Sequence, residues 1–273
     1  MKKTFSILLT ALLALSALTL PMASCEKNEE TTTAATTVDD TPKVPTTPKE
    51  LYQFASNQYD EADNYRVNYK FSVTLSGLKE LFISVPVKQQ VSESRNGNNL
   101  TCKLTQGSET AEVSYINGVM YTVGSGVKSK ATMTWDEFVK FSEYERPDVI
   151  EQLPESAFTH LTVNQSGEDQ VLIFKLSTAE MGTVAGNLRE FLQLGADSDS
   201  AQFEKGTYTV FINKDGQVYK TSLEMQLKVT YKYKECACYV VVETSIGYGS
   251  ANVKAPKDAD SYIDITGRLE IPA

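Results

Sequence analysis

Every second residue from Tyr65 to Leu75 is apolar: Tyr65, Val67, Tyr69, Phe71, Val73 and Leu75 alternate with Arg66, Asn68, Lys70, Ser72 and Thr74. Successive side chains on a strand point to opposite faces, so this segment predicts a long strand with one dry and one wet face. Leu223, Met225, Leu227, Val229 and Tyr231 alternate in the same way with Ser222, Glu224, Gln226, Lys228 and Thr230, within a strand expected over 217–233. Further strands are expected at 80–94, 98–105, 110–116, 119–124, 206–213 and 235–248, with a short hairpin over about 158–177. Asn96-Gly97 and Asn117-Gly118 are the dipeptides that tight hairpins prefer, and Lys214-Asp215-Gly216 marks another turn.

At three places the apolar spacing changes from two to three or four. Thr47-Pro48-Lys49-Glu50 reads as a capping box with proline at the first helical position, and Leu51, Phe54, Ala55 and Tyr59 continue it as a helix to about Asp60. Thr134-Trp135-Asp136-Glu137 opens a second helix, with Trp135, Phe138, Phe141 and Tyr144 inward and an end before Pro147. Ser177 and Glu180 start a third, whose Met181, Val184, Ala185, Leu188, Phe191 and Leu192 form one stripe before Gly195. Antiparallel strands that are apolar on one face need a cover, and a few amphipathic helices are what the chain supplies. The expected fold is α+β: a strongly curved antiparallel sheet, a half-open β-barrel, covered on its concave face by helices, as a single domain over 48–273. No short period repeats, which excludes a solenoid.

Ahead of this domain the composition changes twice. Lys2 and Lys3, the apolar run Phe5 to Leu20, Pro21 and the small residues Ala23 and Ser24 have the layout of a secretory signal over 1–24. The run is shorter than the roughly 20 apolar residues a spanning helix needs. Glu26 to Thr47 is rich in Thr, acids and Pro with almost nothing large and apolar, so 25–47 reads as a disordered tether. About 22 flexible residues reach roughly 25 Å by random-coil scaling. The formal net charge of -9 becomes -11 when the two leader lysines are removed. That charge, with no basic cluster to reverse it locally, argues against nucleic acid as a partner.

Met22-Ala23-Ser24-Cys25 resembles the bacterial lipobox, with Met where Leu is commonest. The resemblance implies cleavage before Cys25, lipidation of Cys25 by two or three acyl chains, and attachment to the extracytoplasmic face of a bacterial cell membrane. A single chain would bind only marginally. The order of elements, the hairpin segment Ile116-Asn117-Gly118-Val119-Met120-Tyr121 and the closing stretch from Gly247-Tyr248-Gly249-Ser250 through Val253 to Tyr262 resemble the outer-membrane lipoprotein carrier (LolA/LolB-like) superfamily, and more specifically lipoproteins of Gram-positive bacteria that share its fold. The resemblance implies a non-enzymatic protein that binds or carries an apolar, lipid-like ligand in the hollow between sheet and helices. Candidate lining residues are Tyr69, Phe71, Val73, Phe138, Phe141, Met181, Leu188, Leu223, Met225 and Leu227, each of which also suits plain core packing. The alternative is a cell-envelope protein-interaction module with a filled core, using its polar face or a strand edge.

The chemistry-bearing motifs are sparse, and no cofactor is expected. His160 is the single histidine, placed between Phe158 and Val163 in an expected strand, which is poor ground for a Ser-His-Asp triad. Ser76-x-x-Lys79, Ser125-x-x-Lys128 and Lys220-Thr221-Ser222 echo penicillin-recognising motifs, but the serine of such a motif begins a helix. Gly126-Val127-Lys128-Ser129 lacks the P-loop arrangement, and Asp258, Asp260 and Asp264 lack the calcium-loop glycine. Beyond Cys25 there remain Cys102, Cys236 and Cys238. Cys236 and Cys238 share one strand face at roughly 6.5 to 7 Å, at or past the disulfide limit, so any disulfide would use Cys102. Without histidine partners no metal site is expected, and small buried hydrophobes are the expected role.

Overall fold

A computed structural model describes residues 44–76, 87–142, 144, 146–147, 150–151, 153–180, 201–231, 234–249 and 251–269. The elements are helix α1 (Pro48–Asp60), strands β1 (Asn64–Ser76), β2 (Val87–Asn96), β3 (Asn99–Gln106), β4 (Glu109–Ile116), β5 (Val119–Gly124) and β6 (Val127–Thr132), then helix α2 (Trp135–Ser142). Strands β7 (Leu161–Ser166), β8 (Asp169–Leu176), β9 (Ala201–Ile212), β10 (Val218–Tyr231), β11 (Lys234–Tyr248) and the two-residue β12 (Ile263–Asp264) follow among the described residues. All twelve belong to one open sheet in the order β12-β6-β5-β4-β3-β2-β1-β11-β10-β9-β8-β7. Every pairing is antiparallel except that of β12 with β6. The order is two meanders, β1 to β6 and β7 to β11, joined where β1 lies beside β11.

The parity of side chains decides which face is buried. On β1, Tyr65, Val67, Tyr69, Phe71 and Val73 are buried while Arg66, Lys70 and Thr74 are exposed. On β10, Thr221, Leu223, Met225, Leu227 and Val229 are buried in the same rhythm. Leu51, Tyr52, Ala55 and Tyr59 of α1 are buried in a core with β1, β8, β9, β10 and β11. A second, smaller core gathers Leu100, Val113, Tyr115, Met120 and Ala131 of β3 to β6 under Phe138 of α2, with Trp135, Val139, Phe141 and Tyr144 packed against it.

Capping boxes close at two of the three expected helix starts. Thr134 N–H donates to Glu137 Oε2 at 2.7 Å and Glu137 N–H returns to Thr134 Oγ1 at 3.3 Å. Ser177 and Glu180 do the same at 2.6 and 3.4 Å; of the expected third helix only residues 178–180 fall among the described residues, and they are helical. At α1 the Thr47 hydroxyl donates to the Glu50 carboxylate at 2.5 Å, and no side-chain cap bonds the backbone. Pro48 has no N–H to satisfy there, which removes one of the orphan donors a cap would serve.

Strand β6 is absent from the expected elements. Its buried positions are the small residues Ser129 and Ala131, so Val127-Lys128-Ser129-Lys130-Ala131-Thr132 carries no apolar alternation to detect. Strand β9 begins at Ala201, earlier than the expected 206; its register with β10 shifts at Glu204, between Lys205 opposite Gln226 and Phe203 opposite Leu227, and such irregularities blur the period of two. His160 ends a 3-10 turn, Glu155–His160, ahead of β7. The first part of the expected 80–94 strand, residues 80–86, lies outside the described residues.

The C-terminal segment covers the β6 edge. Ile263 and Asp264 pair with Ser129 and Lys130, Lys128 forms an ion pair with Asp258, and the rings of Tyr121 and Tyr262 meet edge to face at 5.5 Å. In the β9–β10 turn Gly216 holds φ +77, and a Cβ there would come within 2.5 Å of the Phe54 ring. Gly216→Ala is expected to cost about 2 kcal/mol from left-handed strain plus displacement of Phe54, read as a lower urea midpoint at unchanged m-value.

Candidate functional site

Register carries the apolar face across half the sheet. Phe174 of β8 stands opposite Tyr208 of β9, Tyr208 opposite Leu223 of β10, Leu223 opposite Val242 of β11, and Val242 opposite Phe71 of β1. The neighbouring row runs from Met225 through Val240 to Val73. Opposed residues on antiparallel strands lie side by side on one face, so the long apolar alternations of β1 and β10 become one surface with β11 between them.

Six candidate lining residues sit on this surface and belong to the first core: Tyr69, Phe71, Val73, Leu223, Met225 and Leu227, none more than 6% exposed. Phe138 is buried in the second core and Phe141 packs against it. Thus the structure separates these eight into two groups rather than one lining. Met181 and Leu188, like Cys25, lie outside the described residues.

Between the two cores stands a group that the apolar patterning does not announce. Glu93 of β2 is 1% exposed, on the apolar face opposite Val67 of β1 and Cys102 of β3. Its Oε1 accepts from the hydroxyls of Tyr65 at 2.6 Å and Tyr144 at 3.0 Å. Its Oε2 is buried with no hydrogen-bond partner among the described residues. Tyr65 belongs to the first core and Tyr144 packs on the second, so one carboxyl oxygen ties the two together. Burial pushes the Glu93 carboxyl up to about 7, while the bonds from Tyr65 and Tyr144 and the charges of Arg95 and Arg146 pull the other way. A visible signal was Val91-Ser92-Glu93-Ser94-Arg95, where a carboxylate occupies apolar parity and serines occupy the opposite face.

Arg146 completes the seam. Its guanidinium donates to the carbonyls of Asp60 at 2.9 Å, Ala62 at 3.0 Å and Tyr59. They stand at and just past the C-terminus of α1, where carbonyls run out of helical donors; the Tyr59 carbonyl also accepts from the Ala62 N–H at 3.1 Å. The same guanidinium lies 4.6 Å from the Tyr59 ring centroid and 4.5 Å from that of Tyr65. Burial raises the Tyr59, Tyr65 and Tyr144 hydroxyls above their ordinary range, so they stay neutral donors.

A cavity of about 260 Å³ lies between the β3–β4 and β5–β6 turns, with Leu104 and Ala111 at its apolar side and Gln106, Glu109 and Ser125 among its polar lining. Leu104 and Ala111 oppose each other in register, on the same face as Cys102 and Val113.

The motif residues do not assemble. His160 is exposed. Ser125 is an exposed turn residue at φ 49, and Lys128 is engaged with Asp258. Lys220 lies 3.4 Å from Glu243, and Asp264 accepts from the Thr266 backbone and hydroxyl. No group of three or more His, Cys, Asp or Glu residues suited to a metal occurs among the described residues. Cys102, Cys236 and Cys238 are buried and form no disulfide with one another; the Cys236 thiol donates to the Val229 carbonyl at 3.4 Å, and burial raises the Cys238 thiol to about 12.

No protein-family profile matches the sequence, and no curated protein matches it. Among solved structures, a LolA superfamily protein from Nitrosomonas europaea is 11% identical, over 78% of this chain and 97% of that one, with a TM-score of 0.26. An N-terminal dehydratase from the difficidin assembly line is 8% identical, over 71% and 82%, with a TM-score of 0.12. Superpositions this loose decide neither fold nor function, and the architecture rests on the strand order and on the register of the apolar face.

Proposed function

We propose that this chain is a non-enzymatic, membrane-tethered lipoprotein on the extracytoplasmic face of a bacterial cell membrane, whose sheet curls as a half-open barrel and binds or carries an apolar, lipid-like molecule. The observation that carries the ligand reading is the apolar face running in register from Phe174 to Phe71. It combines aromatic rings with the adaptable Met225, a surface chemistry suited to acyl chains. Support for anchoring comes from the sequence around Cys25 and the tether behind it.

Mass spectrometry of the full chain from a bacterial host tests both halves. Denaturing spectra are expected to show covalent acyl chains on Cys25 and their loss in Cys25→Ala, with release from membranes. Native spectra are expected to show a further, noncovalent lipid mass near one per chain. A native mass without lipid, unchanged after lipid is offered, would transfer the assignment to the second reading.

That second reading is a cell-envelope interaction module with a filled core, favoured by one observation. β7 ends the sheet with Thr162 to Ser166 exposed on both faces and no charge or proline between Leu161 and Ser166. Sheet edges are ordinarily guarded by such residues, and an unguarded one accepts an added strand.

A further inference from the structure

We propose that Glu93 is a proton-controlled latch between the two cores: with its proton the seam at Tyr65, Tyr144 and Arg146 is closed and dry, and without it water reaches Oε2 and the seam loosens. This goes beyond ligand binding and stands whether or not a lipid is carried. The geometry carries it. A fully enclosed carboxyl has one oxygen satisfied by two neutral hydroxyls and the other by nothing among the described residues. A buried carboxylate left partly unpaired is costly, whereas a protonated carboxyl removes the charge. Two cations act on Glu93, Arg95 and Arg146; Arg146 spends its Nη donors on three backbone carbonyls, and its buried Nε has no hydrogen-bond partner among the described residues.

The groups facing Glu93 are few. From β1 and α1 come Tyr65 and Tyr59, and Asp60 lies behind Arg146. β2 supplies Arg95, whose Nε donates to the Gly97 carbonyl at 2.8 Å. β3 supplies Cys102, with Glu112 of β4 beyond it. After α2 come Tyr144 and Arg146. The tyrosines and Cys102 are all raised by burial, and burial raises the Asp60 carboxyl as well, against the pull of the Arg146 charge. Glu93 is the enclosed carboxyl of this seam, raised to about 7.

Trp135, the single tryptophan of the chain, reports on the latch. Its ring meets that of Tyr144 at 5.8 Å, and the Arg95 guanidinium lies 5.5 Å above it. In the full-length chain, Trp135 emission is expected to shift to longer wavelength from pH 5.5 to 8.5, reversibly and with a midpoint about 7. Glu93→Gln is expected to abolish the transition. Tyr144→Phe, which removes one bond to the ionised form, is expected to move the midpoint upward, and it tests the latch should the Gln variant not fold. His160→Gln is expected to leave the transition in place; its loss there would assign the signal to the histidine and overturn the proposal. So would a flat wild-type profile, or a transition that survives in Glu93→Gln.

Discussion

Arg146→Ala is expected to lower the unfolding free energy by about 3 kcal/mol. Three carbonyls around the end of α1 lose the guanidinium at once, that of Tyr59 keeping only its bond from the Ala62 N–H, and charged hydrogen bonds contribute roughly 1.5 to 3 kcal/mol each before losses to replacement water. The guanidinium also leaves two tyrosine faces, at about 0.5 to 1 kcal/mol each when partly exposed. These contributions overlap, so the sum is an upper bound. Arg146→Lys keeps the charge and loses the fork, and is expected to recover less than half of the deficit. Urea unfolding of the wild type and both variants at one pH reads the difference. Equal stability of alanine and wild type would remove Arg146 from any role in holding α1.

The second large effect is a slope with pH rather than a single number. Folding raises the Glu93 carboxyl from 4.5 to about 7. The folded chain therefore binds that proton more tightly than the unfolded chain. The stabilisation is fully present below about 4.5 and is lost as pH rises through about 7. A shift of this size corresponds to about 3 kcal/mol between the two limits. Glu93→Gln keeps an acceptor for Tyr65 and Tyr144 without the charge. Its stability relative to wild type is expected to rise by about 3 kcal/mol from pH 4.5 to pH 8, measured by urea unfolding along the series. A constant difference would show that Glu93 does not titrate with folding.

The sheet was readable where burial writes a period of two. β1 and β10 carry that period over most of their length, and their boundaries agree with expectation to within a few residues. β6 was unreadable because Ser129 and Ala131 face inward with little apolar bulk; the Ser129 hydroxyl instead meets that of Thr122 at 2.6 Å. Glu93 escaped for a related reason. A lone acid in a strand ordinarily reads as a solvent-facing residue, and only its parity with Val91 marks it as inward. Arg146 carries no signal of its role in the sequence, since nothing local reveals that the carbonyls of Tyr59, Asp60 and Ala62 lie within its reach. The candidate lining was legible as apolar parity on β1 and β10, while its division between two cores depended on which strands become neighbours.

That neighbourhood has a kinetic side. Tyr65 pairs with Tyr248 and Ser76 with Ala237, so the first strand borders the last long one across nearly the whole chain. During synthesis β2 to β6 can add to β1 one hairpin at a time, while the opposite side of β1 offers thirteen residues of unpaired backbone and a full row of aromatic and aliphatic side chains. Contacts of such sequence separation form late, and an open apolar edge of that length is a template for any extended chain nearby. For the interval before β11 is made, the nascent protein carries an open apolar edge at what becomes the centre of the sheet.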